Sequence, residues 1–197
     1  LLSFHRLLSA ESPYPYAELN DRITAVLVTR LEDSPTLLLE TYPGECYPVD
    51  NTAIVGSLGL YGQATGADCG PLVRRWTRNC RDRYVDDKTG LLYQPVDPGT
   101  GQPLDQPRGS GTCLGLYFLS FADLSFSEDL YAAARKHLSG TVFGFGGARE
   151  YPASAPAGFG DIDSGPIVFG YGLSATGFML AGSRLHRDPE WFRRLFA

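Results

Sequence analysis

Five residues whose side chains can transfer protons or act as nucleophiles lie next to predicted helix starts. Glu45, Cys46 and Asp50 stand in one short stretch, and Asp161 and Asp163 stand in another. Two carboxyl groups in different environments can divide into a general acid and a general base. A thiol beside a helix N-terminus can have a lowered pKa and act as a nucleophile. The structural alternative is that Asp50 and Asp163 are N-caps, each contributing about 1 kcal/mol.

Aromatic and polar side chains close to these residues could complete a ligand site. Aromatic walls with a few polar groups suit sugar or terpenoid ligands. Arg108 and Arg149 could pair with a carboxylate of the protein or with an anionic group of a ligand. Core packing is the alternative for each aromatic residue, and a structural ion pair is the alternative for each arginine. The candidate binding residues are Tyr42, Tyr47, Asn51, Arg108, Arg149, Glu150 and Tyr151, with Tyr171, Phe143, Phe145 and Phe159 as further wall residues.

Helical periodicity predicts the elements that must position these residues. Apolar residues recur at helical spacing, and the predicted N-caps are Asp50, Ser127 and Asp188. In residues 17–31 the predicted apolar positions include Leu19, Ile23 and Val26. A small β-hairpin insertion is predicted where residues 91–96 and 102–104 flank a proline- and glycine-rich turn. The predicted helices cover residues 17–31, 50–63, 70–84, 109–121, 127–138 and 161–185 with a short last helix after Asp188, and residues 141–151 are predicted to be extended or a loop.

A repeat underlies this order of elements. Asp50, Arg108 and Asp163 stand 58 and 55 residues apart, each in a polar turn before an uncharged, glycine-rich helix. A fixed period of this size predicts repeated helical hairpins. The uncharged helices would form an inner layer and the amphipathic helices an outer layer. Parallel inner helices would then bring their N-termini, with unpaired N–H groups and positive dipole ends, to one polar floor.

Three segments carry a resemblance to a known superfamily, namely residues 44–51 (GECYPVDN), 149–152 (REYP) and 160–166 (GDIDSGP). On these segments the chain resembles the (α/α) toroid superfamily and, more narrowly, linalool dehydratase/isomerase-type proteins and their uncharacterised relatives. The resemblance implies cofactor-free chemistry by cysteines with acidic and histidine partners, which makes Cys46 a candidate. The sequence departs from that pattern, since no second cysteine lies near Cys46 and no histidine lies on the predicted floor. A full toroid has six hairpins, and this chain has room for three or four.

Composition excludes several classes of function. The 22 acidic and 17 basic residues give a formal net charge of −5, and the arginines are scattered, which argues against a nucleic-acid-binding protein. No apolar stretch reaches the length of about 18 residues that a membrane span needs, and no signal peptide is visible. The four cysteines lack zinc-ligand spacing, so we expect reduced thiols and no metal site.

The sequence therefore predicts one mainly α domain over residues 1–197, a partial or complete (α/α) toroid with a small β-hairpin insertion. Because residues 1–8 read as the tail of a helix, we also expect an upstream segment, or a homo-oligomer that supplies the missing contacts. The predicted function is cofactor-free acid/base chemistry on a hydroxylated small molecule, as a lyase, isomerase or hydrolase. The alternative is a non-catalytic glycan- or protein-binding module. The cytoplasm is the favoured compartment, the alternative being the soluble part of a membrane-anchored protein.

Overall fold

The structure is a computed structural model that describes residues 1–156, 158–160 and 164–196. These ranges contain eight α-helices and four short strands, joined by loops. The helices pair into four consecutive hairpins. The helices are α1 (Leu2–Leu8), α2 (Ala17–Asp33), α3 (Pro48–Thr65), α4 (Gly70–Arg83), α5 (Gly109–Leu119), α6 (Leu124–His137), α7 (Leu173–Leu185) and α8 (Pro189–Phe196). The strands are β1 (Ser139–Val142), β2 (Phe145–Ala148), β3 (Ile167–Val168) and β4 (Tyr171–Gly172).

The odd-numbered helices form an inner layer in which neighbours run parallel. Helix α5 packs between α3 and α7, and α1 packs against α3. A Cβ atom placed on Gly115 would lie 3.5 Å from Cγ2 of Thr52, and one placed on Gly59 would lie 2.2 Å from the carbonyl oxygen of Phe121. Because residue numbers rise together along both helices, α3 and α5 point the same way. Glycine at position 59 allows their close approach.

The outer helices are amphipathic and close the core from outside. Helix α4 buries Val73, Trp76, Thr77 and Cys80, which share one face at helical spacing. Its arginines occupy the other positions, so that face meets solvent. The apolar core lies between the two layers, and its largest fully buried side chains include Trp76, Tyr84, Phe126, Leu116 and Leu130. Repeated helical hairpins of the toroid type, predicted from the sequence, are therefore the observed architecture.

Three predicted helix starts are wrong, each for a local reason. Helix α3 begins at Pro48, which suits the first helical position, so Asp50 lies inside the first turn and is not the N-cap. Helix α6 begins at Leu124, because the Asp123 carboxylate accepts the N–H of Phe126 at 3.0 Å and takes the capping role predicted for Ser127. Helix α7 begins only at Leu173, after the β3–β4 hairpin.

Two β-hairpins lie where the sequence predicted a helix or only an extended segment or loop. Strands β3 and β4 pair across Phe169 and Gly170, both with positive φ, in a stretch predicted to be helical. Strands β1 and β2 form an antiparallel hairpin that begins at Ser139, two residues before the stretch predicted to be extended or a loop. The hairpin predicted around residues 97–101 is confirmed at its turn, where the N–H of Asp97 donates to the carbonyl of Gln102 at 2.9 Å. Its arms are isolated bridges without regular strands.

The predicted apolar face of α2 is exposed. Leu19, Ile23 and Val26 are 38%, 42% and 50% exposed, whereas Asn20 and Thr24 are buried. The Asn20 amide donates to Oγ of Ser3 in α1 at 3.1 Å, which turns this polar face inward. None of the helices in the described ranges is both long and apolar enough to cross a lipid bilayer.

Candidate active site

A cavity of about 240 Å³ opens where the inner helices α3 and α5 begin, with one wall from α7. Its polar lining comes from the first turn of each of those two helices and from two loops. Its apolar lining includes Phe178 of α7. The lining residues are Tyr42, Tyr47, Val49, Asp50, Gln94, Ser110, Gly111, Leu114 and Phe178. The first turns of α3 and α5 therefore meet at one cavity, whereas α7 contributes Phe178 from its second turn.

A tight turn before α3 supplies the aromatic side of the cavity. Pro43 and Gly44 occupy its centre, Gly44 with φ 82°, and the N–H of Glu45 donates to the carbonyl of Tyr42 at 2.9 Å. The rings of Tyr42 and Tyr47 meet edge to face with centroids 5.8 Å apart. The Tyr47 hydroxyl donates to the Glu45 carboxylate at 2.8 Å. Glu45 is thus linked to the cavity through a phenol and does not line it.

Asn51 holds the same loop and is not placed to bind a ligand. Its side chain is buried, with its oxygen accepting the N–H of Leu39 at 2.8 Å and its amide donating to the carbonyls of Leu39 and Tyr47. These three bonds tie the loop to the first turn of α3. The prediction of a ligand contact at Asn51 is corrected to a positioning role, because its hydrogen-bonding groups point into the protein.

Glu150 lies far from α5 in sequence, but its carboxylate accepts hydrogen bonds from the first turn of that helix. Its carboxylate is fully buried and accepts the Ser110 N–H at 3.2 Å and the Ser110 hydroxyl at 2.6 Å. Its backbone carbonyl accepts the N–H of Gly109 at 2.7 Å. A carboxylate at this point satisfies unpaired N–H groups and complements the helix dipole. Glu150, predicted to contact a ligand, therefore lies behind Ser110 and orients it.

The other predicted basic and aromatic binding residues lie away from the cavity lining. Arg108, which is buried, pairs with Asp105 and lies 5.4 Å over the ring of Tyr151. Arg149 lies 4.7 Å over the ring of Tyr171. These contacts match the structural ion pair and packing alternatives. Of the further wall residues, Phe143, Phe145 and Tyr171 line a separate apolar groove beside the β-hairpins, and Phe159 is exposed.

Cys46 is not an activated nucleophile. Its backbone exchanges hydrogen bonds with Val96, at 3.1 and 2.8 Å, and its side chain lies fully buried in the core. Burial, with the nearby charges of Glu40 and Asp97, raises the pKa of the Cys46 thiol to about 11. The predicted lowering is wrong, since desolvation outweighs any effect of the helix end. Asp161 and Asp163, the other predicted catalytic residues, lie outside the described residues.

Gln94 is a cavity residue that the sequence did not suggest. It follows the first of two Asp-x-x-Thr-Gly turns, in which Asp86 and Asp97 each accept bonds from the threonine three residues on. Between these turns, the Leu92 N–H donates to the Thr112 hydroxyl of α5 at 3.0 Å. The paired Asp-x-x-Thr-Gly segments were the available signal, because they fix a short segment against the start of α5. Groups of three or more potential metal ligands are absent from the part of the chain that the structure describes.

Comparison with solved structures identifies the fold. The chain is similar to the cellobiose 2-epimerase from Spirochaeta thermophila DSM 6192, with a TM-score of 0.56 and 14% sequence identity. The likeness covers 93% of this chain and 54% of that one, so the chain spans about half the length of the epimerase. The sequence matches no family model and no curated protein. The likeness shows a fold of the (α/α) toroid type and gives no support to a relationship with linalool dehydratase/isomerase.

Proposed function

We propose that the chain carries a sugar-binding active site of acid/base type in the cavity at the start of α3 and α5. The observation that carries this proposal is the joint presence of Asp50, an aromatic pair and polar Ser110 and Gln94 in one small cavity. Aromatic rings with a few directed polar groups suit the apolar faces and hydroxyls of a sugar ring. The likeness to cellobiose 2-epimerase, an enzyme named for a sugar, supports the class only through its fold.

Isomerisation or epimerisation is the reaction class that fits the available groups. Such a reaction moves a proton at a carbon beside the carbonyl of the open-chain sugar. Asp50 lines the cavity, and we assign its carboxylate the role of accepting that proton. The Tyr47 hydroxyl, hydrogen-bonded to Glu45, is a second proton-bearing group at the same cavity. Because the Tyr47 proton is donated to Glu45, we assign both the removal and the return of the carbon proton to Asp50, a step that uses no cofactor.

The proposal is tested by proton NMR of glucose and cellobiose incubated with the protein in deuterium oxide. We expect deuterium to enter the carbon beside the carbonyl, because a proton removed by Asp50 exchanges with solvent. Asp50→Asn should slow this exchange about 10²- to 10⁴-fold, the usual contribution of a general acid or base. Glu32→Gln, at an exposed position of α2, is the matched control and should leave it unchanged. Equal exchange by wild type and Asp50→Asn would remove Asp50 from the chemistry.

A second candidate function is sugar binding without chemistry. Within the part of the chain that the structure describes, Asp50 is the one carboxylate that lines the cavity, whereas acid/base enzymes commonly use two groups. Binding of glucose or cellobiose with no deuterium exchange, in either wild type or variant, would favour this candidate.

A further inference from the structure

We infer that α2 pairs with α2 of a second copy of this chain, antiparallel, through a stripe of exposed residues that we call the α2 seam. The inference goes beyond the proposed sugar chemistry and does not depend on it. It is carried by three observations: the reversed polarity of α2, the spacing of the seam and the order of its residues. The seam consists of Tyr16, Leu19, Ile23, Val26, Arg30 and Asp33.

The first observation is that α2 has its polar and apolar faces reversed relative to other outer helices. Helices α4 and α6 bury mainly apolar residues and expose charged ones. Helix α2 buries Asn20 and Thr24, and it exposes Leu19, Ile23 and Val26. An amphipathic helix normally turns its apolar stripe toward a partner. In the described structure this stripe of α2 is open to one.

The second observation is the spacing of the α2 seam, which runs from the N-cap residue Tyr16 to Asp33, the last residue of α2. Its six members are separated by 3, 4, 3, 4 and 3 positions. This spacing lets one helix present a continuous seam to another. The first four members are 53%, 38%, 42% and 50% exposed in chain order, and the last two are exposed as well. The whole seam is therefore accessible to a second helix.

The third observation is the order of residue types along the seam, which complements itself in antiparallel pairing. A two-fold axis between positions 24 and 25 places Ile23 against Val26 of the second copy, and Val26 against Ile23 of the second copy. The same axis places Leu19 against the aliphatic stem of Arg30, which can keep its charged end in water. At each end, the Tyr16 hydroxyl can donate to the Asp33 carboxylate of the second copy.

Parallel pairing does not give this match. It would place Arg30 beside Arg30 of the second copy and Asp33 beside Asp33 of the second copy, so like charges would meet. The antiparallel pair instead has an apolar centre and polar ends, the usual arrangement of a protein interface. Because the seam complements itself in this way, a second copy of the chain is the partner that it fits.

The size of the seam sets the expected strength of the dimer. Helix α2 has 17 residues, so it is about 25 Å long. A single helix pair of this length is smaller than a standard interface, which buries about 1,600 Å². We therefore expect a weak dimer, with a dissociation constant of roughly 10–100 μM.

Sedimentation velocity of the protein at about 5–500 μM, a range that brackets this value, measures the dissociation constant. Val26→Arg should weaken the dimer about tenfold or more, because it places an unpaired charge against Ile23 of the second copy. Val168→Arg is the matched control, since it makes the same replacement at an exposed valine outside the seam. It should leave the dissociation constant unchanged.

A disulfide cross-link tests the register without placing a charge in the seam. All chains carry Cys69→Ser, which removes the partly exposed thiol. A mixture of Ile23→Cys and Val26→Cys chains should form the 23–26 disulfide faster than a mixture of Leu19→Cys and Val26→Cys chains forms the 19–26 disulfide. Positions 23 and 26 face each other in the inferred register, whereas positions 19 and 26 are offset by about 6 Å along the helices. Mass spectrometry of peptides identifies each disulfide.

Several results would overturn the inference. A monomer at every concentration would do so, and so would a dimer that Val26→Arg leaves unchanged or that Val168→Arg weakens equally, since another surface would then hold it. A 19–26 disulfide that forms as fast as the 23–26 disulfide would contradict the antiparallel register. Should Val26→Arg fail to fold, as circular dichroism would show, the cross-link still decides the question.

Discussion

The same two helices, α3 and α5, border a polar cavity at one end and an apolar groove at the other. The cavity lies at their first turns and holds Asp50, Gln94 and Ser110. The groove, of about 430 Å³, lies along their later turns and against α1. Its lining residues are Leu1, Phe4, Ala53, Gly56, Ser57, Leu60, Tyr117, Phe118 and Phe121.

The difference shows how a parallel pair of helices separates chemistry from packing. At their N-termini the helices offer unpaired N–H groups, which attract polar and acidic side chains from the loops, as Glu150 does at Ser110. Farther along, the backbone groups bond within each helix, so only side chains remain, and here those are small or apolar. In the groove, the Ser57 hydroxyl is already bonded to Ser3 at 3.1 Å. We therefore place the proposed ligand at the polar end.

The largest effect is expected at Gly59, where α3 packs closely against the turn after α5. Gly59→Leu would place a Cβ 2.2 Å from the Phe121 carbonyl oxygen and 2.8 Å from Cα of Ala122, so the turn between α5 and α6 must shift. We expect a loss of about 3 kcal/mol in the free energy of unfolding, at the upper end for overpacking. Urea denaturation measures it. Gly177→Ala in α7, where an added Cβ meets nothing within 4 Å, should instead gain up to about 1 kcal/mol. Similar changes in both variants would refute the close α3–α5 contact.

The next largest effect is expected at the start of α5, where Ser110 bonds to Glu150. Ser110→Ala removes the hydroxyl that donates to the buried Glu150 carboxylate, leaving it with one donor fewer. The expected cost is about 1–3 kcal/mol of unfolding free energy, again by urea denaturation. Ser120→Ala, at a less buried hydroxyl that bonds to a neighbouring carbonyl, should cost under about 0.5 kcal/mol. Equal costs would mean that the Ser110–Glu150 bond is not a buried one.

The reactivity of Cys46 tests whether its thiol belongs to the candidate site. Because the pKa of the Cys46 thiol is raised to about 11 in the folded protein, Cys46 contributes stability that is present at neutral pH. That contribution to the free energy of unfolding is lost as pH rises from the unfolded-state pKa near 9 through the folded-state pKa of about 11.

At pH 8 we expect iodoacetamide to label partly exposed Cys69 well before Cys46, as mass spectrometry of peptides would show. Cys46→Ala should retain sugar conversion. Rapid labelling of Cys46, or loss of conversion in Cys46→Ala, would restore the thiol as a catalytic candidate.

The smallest effect is expected in the groove. Ala53→Leu extends the apolar lining and should change the unfolding free energy by less than about 1 kcal/mol. Glucose affinity should stay within twofold of wild type, because the substitution lies away from the cavity lining. A fall in glucose affinity of about tenfold or more would show that the two regions form one site.

The sequence predicted the helical hairpins, because apolar periodicity and glycine content are local signals. It did not predict that α2 turns Asn20 and Thr24 inward, since that depends on a partner in α1. The start of α7 was missed because the β3–β4 turn uses Phe169 with positive φ, which propensity does not anticipate.

The candidate site was predictable only in part. Asp50, Tyr42 and Tyr47 could be found from their position before an uncharged helix, and all three line the cavity. The role of Cys46 was misjudged, because a thiol's pKa depends on burial that the sequence does not show. Gln94 was missed because its place at the cavity depends on how the segment before α5 packs, which local sequence patterns do not show.

The most direct test of the central claim is a crystal structure of the protein soaked with cellobiose. The sugar should lie in the cavity at the start of α3 and α5, with one ring against Tyr42 or Tyr47. Its hydroxyls should be within hydrogen-bonding distance of the Ser110 hydroxyl and the Asp50 carboxylate. Cellobiose bound instead in the apolar groove between α1, α3 and α5, with the polar cavity empty, would contradict the account.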